Sequence, residues 1–98
     1  MRVYISGPMT GIENDNKEAF DDAEKQLKEK GHEVVNPQSL PHDHDKSWES
    51  YMKEDIKALL ECDAVFALAG WSGSRGALIE VDLADALGVS VHENMRLL

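Results

Sequence analysis

Ninety-eight residues fill one small domain and leave no room for a second core. The formal charge of −9, with the basic residues interleaved among acids, argues against a nucleic-acid duplex as partner, since phosphate backbones need basic patches. No apolar run approaches the ~20 residues of a membrane span, residues 1–6 are too short and alternating for a signal-peptide core, and the single cysteine, Cys62, excludes an internal disulfide; a cytoplasmic protein is expected.

Val3-Tyr4-Ile5 reads as a short apolar strand, running into the turn-rich loop Ser6-Gly7-Pro8-Met9-Thr10-Gly11. Gly7 and Gly11 would let backbone approach a ligand, and hydroxyls on Tyr4, Ser6 and Thr10 could bond a sugar or phosphate. Pro8 removes an amide donor, the third glycine of a dinucleotide fingerprint is missing, and no Gly-Lys-Ser/Thr of a Walker loop follows. An ordinary strand-to-helix turn explains the same residues. A helix is expected from about Asp15 to Lys30, with Asp15 and Glu18 in capping-box spacing, Phe20, Ala23 and Leu27 as its apolar stripe, and Gly31 as its stop.

Glu33-Val34-Val35 is the second strand, ended by Asn36-Pro37. The polar segment 38–46 contains Pro41-His42-Asp43-His44-Asp45, a pattern that could hold a metal. Without Cys or His at finger spacing the pair reads as solvated, and no metal is expected; His32 and His92 stand alone. Ser47 caps a helix whose stripe is Trp48, Met52, Ile56 and Leu60. Asp55, four residues from both Tyr51 and Leu59, flanks that stripe rather than open water.

Asp63 to Leu68 is apolar almost throughout, as a central strand covered on both faces should be. Cys62 before it reads as a small buried hydrophobe. Asp63 opens the strand at the end away from the expected ligand edge, where bridging a turn is its simpler role. Trp71-Ser72-Gly73-Ser74-Arg75-Gly76 ends at a helix start, whose free amides, two hydroxyls and arginine would suit a phosphate; plain capping by Ser74 is the alternative. Val89-Ser90-Val91 is the last strand.

Within the helix 74–87, Glu80 stands out. On a wheel of about 100° per residue, Arg75 and Asp85 fall within roughly 60° of Asp82, while Glu80 lies about 160° away. Its neighbours there are Gly76, Leu83, Ala84 and Leu87. A carboxylate in an apolar arc is costly unless something pairs with it or needs it; capping a loop or pairing with Arg75 would also account for it.

Strands alternating with helical crossovers imply a parallel sheet with helices on both faces, a flavodoxin/Rossmann-like three-layer α/β sandwich. Ligands in such sheets bind beyond the carboxyl ends of the strands. The loop after the first strand, the 38–46 loop and the loop leading to Glu80 all converge there.

Tyr4-x-x-Gly7, Asp55 on the helix before the central strand, and Gly76-x-x-x-Glu80 together resemble the nucleoside 2-deoxyribosyltransferase superfamily, in order and over essentially the whole chain. Ile5-Ser6-Gly7-Pro8-Met9-Thr10-Gly11, Gly70-Trp71 and Ser74-Arg75-Gly76-Ala77 are similar to a small phage- and prophage-associated branch of uncharacterised proteins. The resemblance implies that Glu80 attacks the anomeric carbon of a deoxynucleoside, expelling the base, and that Tyr4 orients it. Asp55 matches an aspartate near the base, and Asp63 one implicated in proton transfer in related deoxynucleotide hydrolases. Ser74 falls where monophosphate hydrolases carry a serine, and with Arg75 leans towards a 5′-monophosphate.

The Asp-Pro/Val-Gly pattern before the glutamate is absent, Asp82 replaces a small residue after it, and Thr10 stands where the hydrolases carry an arginine. Members complete their sites with a neighbouring subunit, so a homodimer or higher homo-oligomer is expected.

The expectation is thus one domain, 1–98, of about four parallel strands in order 2-1-3-4. It would cleave or transfer at the N-glycosidic bond of a 2′-deoxynucleoside or its 5′-monophosphate, through a covalent deoxyribosyl-Glu80, without metal or organic cofactor. Tyr4, Asp55 and Asp63 would assist; Ser6, Gly7, Pro8, Met9, Thr10, Gly70, Trp71, Ser74, Arg75 and Gly76 would hold sugar and phosphate. A catalytically silent nucleotide-binding module and an acidic decoy for a basic protein surface are the alternatives.

Overall fold

The structure is a computed structural model describing residues 1–42 and 44–98; Asp43, the middle of the His-x-His pattern, lies outside the described residues. Four strands, β1 (Arg2–Ser6), β2 (Glu33–Val35), β3 (Ala64–Ala67) and β4 (Ser90–His92), form one parallel sheet in the order β2-β1-β3-β4. Three helices connect them: α1 (Lys17–Glu29), α2 (Trp48–Leu59) and α3 (Arg75–Ala86). The step from β1 to β2 runs one way across the sheet and the next two steps run the other. Right-handed crossovers therefore lay α1 on one face, and α2 and α3 side by side on the other.

Residue alternation along β1 divides the core. Val3 and Ile5 face α1, in a cluster with Phe20, Ala23, Leu27, Ala64, Phe66 and Leu68. Tyr4 faces the opposite side, among Leu59, Cys62, Val65 and Ala84. Cys62 is buried as expected, donates to the Ala58 carbonyl at 3.3 Å, and has its thiol pushed by burial up to about 11. Each fully buried large side chain, Phe20 and Leu27 among them, contributes about 1.5–3 kcal/mol by leaving water.

Two local expectations are corrected. α1 begins at Lys17, because Asn14, Asp15 and Asn16 all take left-handed backbone, with φ of 55°, 54° and 63°. No Asp15–Glu18 capping box forms. Asn16, a residue type that tolerates this conformation, sends its side-chain amide to the Pro8 carbonyl at 3.0 Å, tying the helix start to the first loop.

The second correction concerns α2, capped as expected by Ser47 Oγ on the Ser50 amide. Its buried residues are Asp55 and Leu59; Trp48, Met52 and Ile56 are half-buried and Leu60 is 52% exposed. Four-residue spacing drifts about 40° per step around a helix, so the apolar stripe slides off the sheet and a carboxylate takes the inward position.

Asn16→Ala should lower stability by about 1–2 kcal/mol in urea denaturation, through the lost bond to Pro8 and the left-handed backbone. Glu18→Ala, costly under the capping-box expectation, should be near neutral.

Candidate active site

The same alternation that points Tyr4 at α2 and α3 points Ser6 there too. Ser74 Oγ accepts from the Ala77 amide and starts α3, whose buried residues are Ala77, Glu80, Val81 and Ala84. Glu80 is thereby pressed onto β1 with only 5% of its surface exposed. Tyr4 Oη donates to Glu80 Oε2 at 2.7 Å and Ser6 Oγ donates to Glu80 Oε1 at 2.7 Å. Each carboxylate oxygen thus has one hydroxyl, and both hydroxyls come from one face of one strand.

Burial raises the Glu80 carboxyl to about 7, although the Ser6 and Tyr4 bonds pull it down; the charge of Asp55 adds to the rise. Burial, followed by the neighbouring Glu80 and Asp55 charges, pushes the Tyr4 hydroxyl well above its usual range, so it remains a donor. Asp55 enters from α2, 6% exposed and raised to about 7 by burial first and Glu54 second. Its Oδ1 is the one buried side-chain polar atom among the described residues without a hydrogen-bond partner. Buried polar atoms are nearly always satisfied, and an exception at a carboxylate cluster points to chemistry.

The family model of a domain of unknown function, DUF4406, matches residues 1–93. The chain belongs to this family. No curated protein matches it. Among solved structures it is similar to the 2-deoxyribosyltransferase of the psychrotolerant bacterium Bacillus psychrosaccharolyticus, with TM-score 0.71 and 24% identity over 93% of this chain and 69% of that one. It is also similar to the CMP N-glycosidase BcmB of Clostridium botulinum, with TM-score 0.64 and 30% identity over 93% of this chain and 66% of that one. The DUF4406 chain thus has the nucleoside 2-deoxyribosyltransferase-like fold and spans about two thirds of each neighbour's length.

Within this DUF4406 domain the remaining candidates fall into separate groups. Ser6 has no exposed surface, so its hydroxyl serves Glu80 rather than a ligand. Gly7 makes room for protein, not ligand: a Cβ there would lie 2.8 Å from Leu68 Cβ. Pro8 lies beside Gly70, which takes φ of 86°, so the first loop and the β3–α3 loop meet at one edge. Met9 packs against the α1-side core, Thr10 is exposed, and Trp71 Nε1 donates to Glu93 Oε1 at 2.7 Å.

At the start of α3, the Arg75 guanidinium lies over the Trp48 ring, 4.1 Å from its centroid, and forms no ion pair among the described residues. Gly76 admits Met52, whose sulfur would be 3.1 Å from a Cβ at that position. Asp63 stands apart. Its carboxylate accepts from the Arg2 amide at 2.9 Å, at the opposite end of β1 from Ser6, roughly 13 Å along the strand.

The His pair is not simply solvated. His42 Nδ1 and His44 Nε2 lie 3.1 Å apart, and both rings pack edge-on against Tyr51, with centroids 4.7 and 4.5 Å away. The side-chain role of Ser6 and the unpartnered Asp55 oxygen carried no sequence signal beyond strand alternation and helix spacing.

Glu80→Gln keeps the shape and removes a buried charge, and one of the two hydroxyls must turn to accept from the new amide nitrogen. A carboxyl raised in the folded state gives stability that is complete below its unfolded value and lost as pH rises through the folded one. From 4.5 to about 7 this amounts to about 3 kcal/mol. Glu80→Gln should therefore be more stable than wild type at pH 8 in urea titrations, with the gap closing towards pH 5. Gly7→Ala should destabilise by roughly 1–3 kcal/mol through overpacking on Leu68.

Proposed function

We propose that this chain cleaves or transfers at the N-glycosidic bond of a 2′-deoxynucleoside or its 5′-monophosphate, with Glu80 as nucleophile. The observation that carries this reading is a buried carboxylate gripped at both oxygens by Tyr4 and Ser6, beside a second buried carboxylate with an unpartnered oxygen. The likeness in fold to a deoxyribosyltransferase and to a CMP N-glycosidase supports the same class of bond.

The two carboxyls divide the labour. Two hydroxyl donors favour the ionised form of Glu80, whereas Asp55, buried without a donor on Oδ1, favours the proton. A Glu80 oxygen forms a bond to C1′ as the bond from C1′ to the base nitrogen breaks, and Asp55 gives its proton to the departing base. Water then attacks C1′, the Glu80–C1′ bond breaks, and the water proton returns to Asp55. If a second base attacks instead, the outcome is transfer. Tyr4 and Ser6 hold the nucleophile at a fixed angle throughout, so no reorganisation is needed at the moment of reaction.

Arg75, at the start of α3 and without a carboxylate partner among the described residues, would meet a 5′-phosphate together with the helix amides. No metal or organic cofactor enters any step.

Incubated with deoxynucleosides, their 5′-monophosphates and CMP, wild type should release free base, and Glu80→Ala should lose roughly a thousandfold or more of that rate. Adding a second base separates transfer from hydrolysis. The pH profile should be a narrow bell near 7, falling on the acid side as Glu80 gains a proton and on the alkaline side as Asp55 loses one. No release from any substrate, with a control enzyme active alongside, would leave a nucleotide-binding module without turnover.

A further inference from the structure

We infer that the ring of Tyr51, braced from behind by His42 and His44, is the surface on which the base of the substrate stacks. The inference rests on the glycosidic reading above and adds to it the residue that selects the base.

The hydrogen bonds of the two imidazoles leave each nitrogen one possible role. The Pro37 carbonyl can only accept, so the contact of 3.0 Å puts a hydrogen on His42 Nε2. The Lys46 amide can only donate, at 3.1 Å, so His44 Nδ1 is bare and its hydrogen sits on Nε2. That hydrogen points at His42 Nδ1, 3.1 Å away, the nitrogen left to accept it. All four ring nitrogens are thereby committed within the protein, and the chain of bonds fixes both rings.

The centroids of His42, His44 and Tyr51 form a triangle with sides of 4.5, 4.7 and 5.1 Å. A triangle so nearly equilateral puts both imidazoles on the same side of Tyr51; rings on opposite sides would stand about twice as far apart. Tyr51 is still 36% exposed with two rings packed against it, so its other side is open. A rigid aromatic face, backed on one side and open on the other, is what a nucleobase stacks on.

An exposed tyrosine alone would mean little; its place decides. α2 runs against the direction of the strands, so Tyr51 lies near the carboxyl edge of the sheet, where Ser6 ends β1. Asp55 is one turn further along the same helix, about 6 Å. Gly76 meets Met52, which marks the side of α2 that faces α3. Round the helix from Met52, Asp55 comes about 60° on and Tyr51 about 100° on, in the same sense. Glu80, Asp55 and Tyr51 therefore follow one another from α3 towards the flank of β2, where Pro37 holds His42. Displacement at C1′ by Glu80 sends the base away from α3. Its path leads past Asp55, which supplies the proton, to the open face of Tyr51. A surface made of a ring face reads area rather than the donors and acceptors of a base edge, so purines gain more from it than pyrimidines.

Isothermal titration calorimetry in a Glu80→Gln background, which holds the substrate intact, separates the base from the rest of the ligand. 2′-Deoxyadenosine 5′-monophosphate should bind more tightly than 2′-deoxycytidine 5′-monophosphate. Tyr51→Ala should weaken the adenine nucleotide at least about tenfold, narrow the gap between the two, and leave the base-free 2-deoxyribose 5-phosphate unchanged. Tyr51→Phe should keep the affinity. With Glu80 in place, the loss in Tyr51→Ala should fall on KM rather than kcat. His42→Ala, which removes the brace and leaves the ring, should give a smaller loss of the same kind, readable even if Tyr51→Ala fails to fold. Unchanged nucleotide affinity in both variants overturns the inference, and base release by wild type would then leave the glycosidic reading standing. Equal losses for nucleotide and 2-deoxyribose 5-phosphate also overturn it, by making Tyr51 a structural support. A parent that binds none of the three overturns it too. A base-dependent loss in a protein whose wild type releases no base upholds the stacking surface and retires the reaction.

Discussion

The grip of Tyr4 and Ser6 on Glu80 joins the first strand of this chain to its last helix. A carboxylate buried to 5% exposure is tolerable only because each oxygen accepts a hydroxyl proton at 2.7 Å. That requirement fixes several other features. β1 must be central, so that alternate residues reach opposite cores; α3 must lie directly over it, with Ala84 small enough to let the helix settle beside Tyr4. Gly7 must remain without a side chain, so that the strand can end against Leu68 and present the Ser6 hydroxyl.

The arrangement places ionisable groups where they oppose stability. Glu80 and Asp55 are both raised to about 7 chiefly by burial, so the fold carries two reluctant charges in one region at neutral pH. A core selected for stability alone would fill those positions with apolar side chains. The two carboxyls are hydrogen-bonded unequally, two hydroxyl donors for one and an unpartnered oxygen on the other. Under the proposed function, that inequality would suit a nucleophile and an acid.

α2 and α3 serve two directions at once. Their inner sides carry Asp55 and Glu80 onto the sheet, while their outer sides carry aliphatic residues and opposed charges. This divided use explains why the apolar spacing of α2 misleads when taken as a guide to the sheet face. Trp48 lies under Arg75 and Met52 against Gly76, so the stripe turns away from the sheet towards α3, and Leu60 ends 52% exposed. Spacing identifies which residues travel together around a helix; it does not identify which of two apolar environments they enter.

The strand and helix order, the parallel sheet in order 2-1-3-4 and the misplaced charge of Glu80 were all legible in the sequence, because period-2 and period-3.6 patterns are local and need no partner. The start of α1 was not, since left-handed backbone at Asn14 to Asn16 is locally unfavourable and is held by contacts away from the segment, the bond from Asn16 to Pro8 among them. Nor was the role of Ser6, whose hydroxyl could serve a ligand or a neighbour until α3 is placed over it. The sequence by itself determined which residues lie on each strand and helix, and so which can share a face. Only the tertiary structure decided which faces meet. Tyr4, Ser6, Asp55 and Glu80 are brought together by contacts spanning up to 76 residues, and no local pattern encodes them.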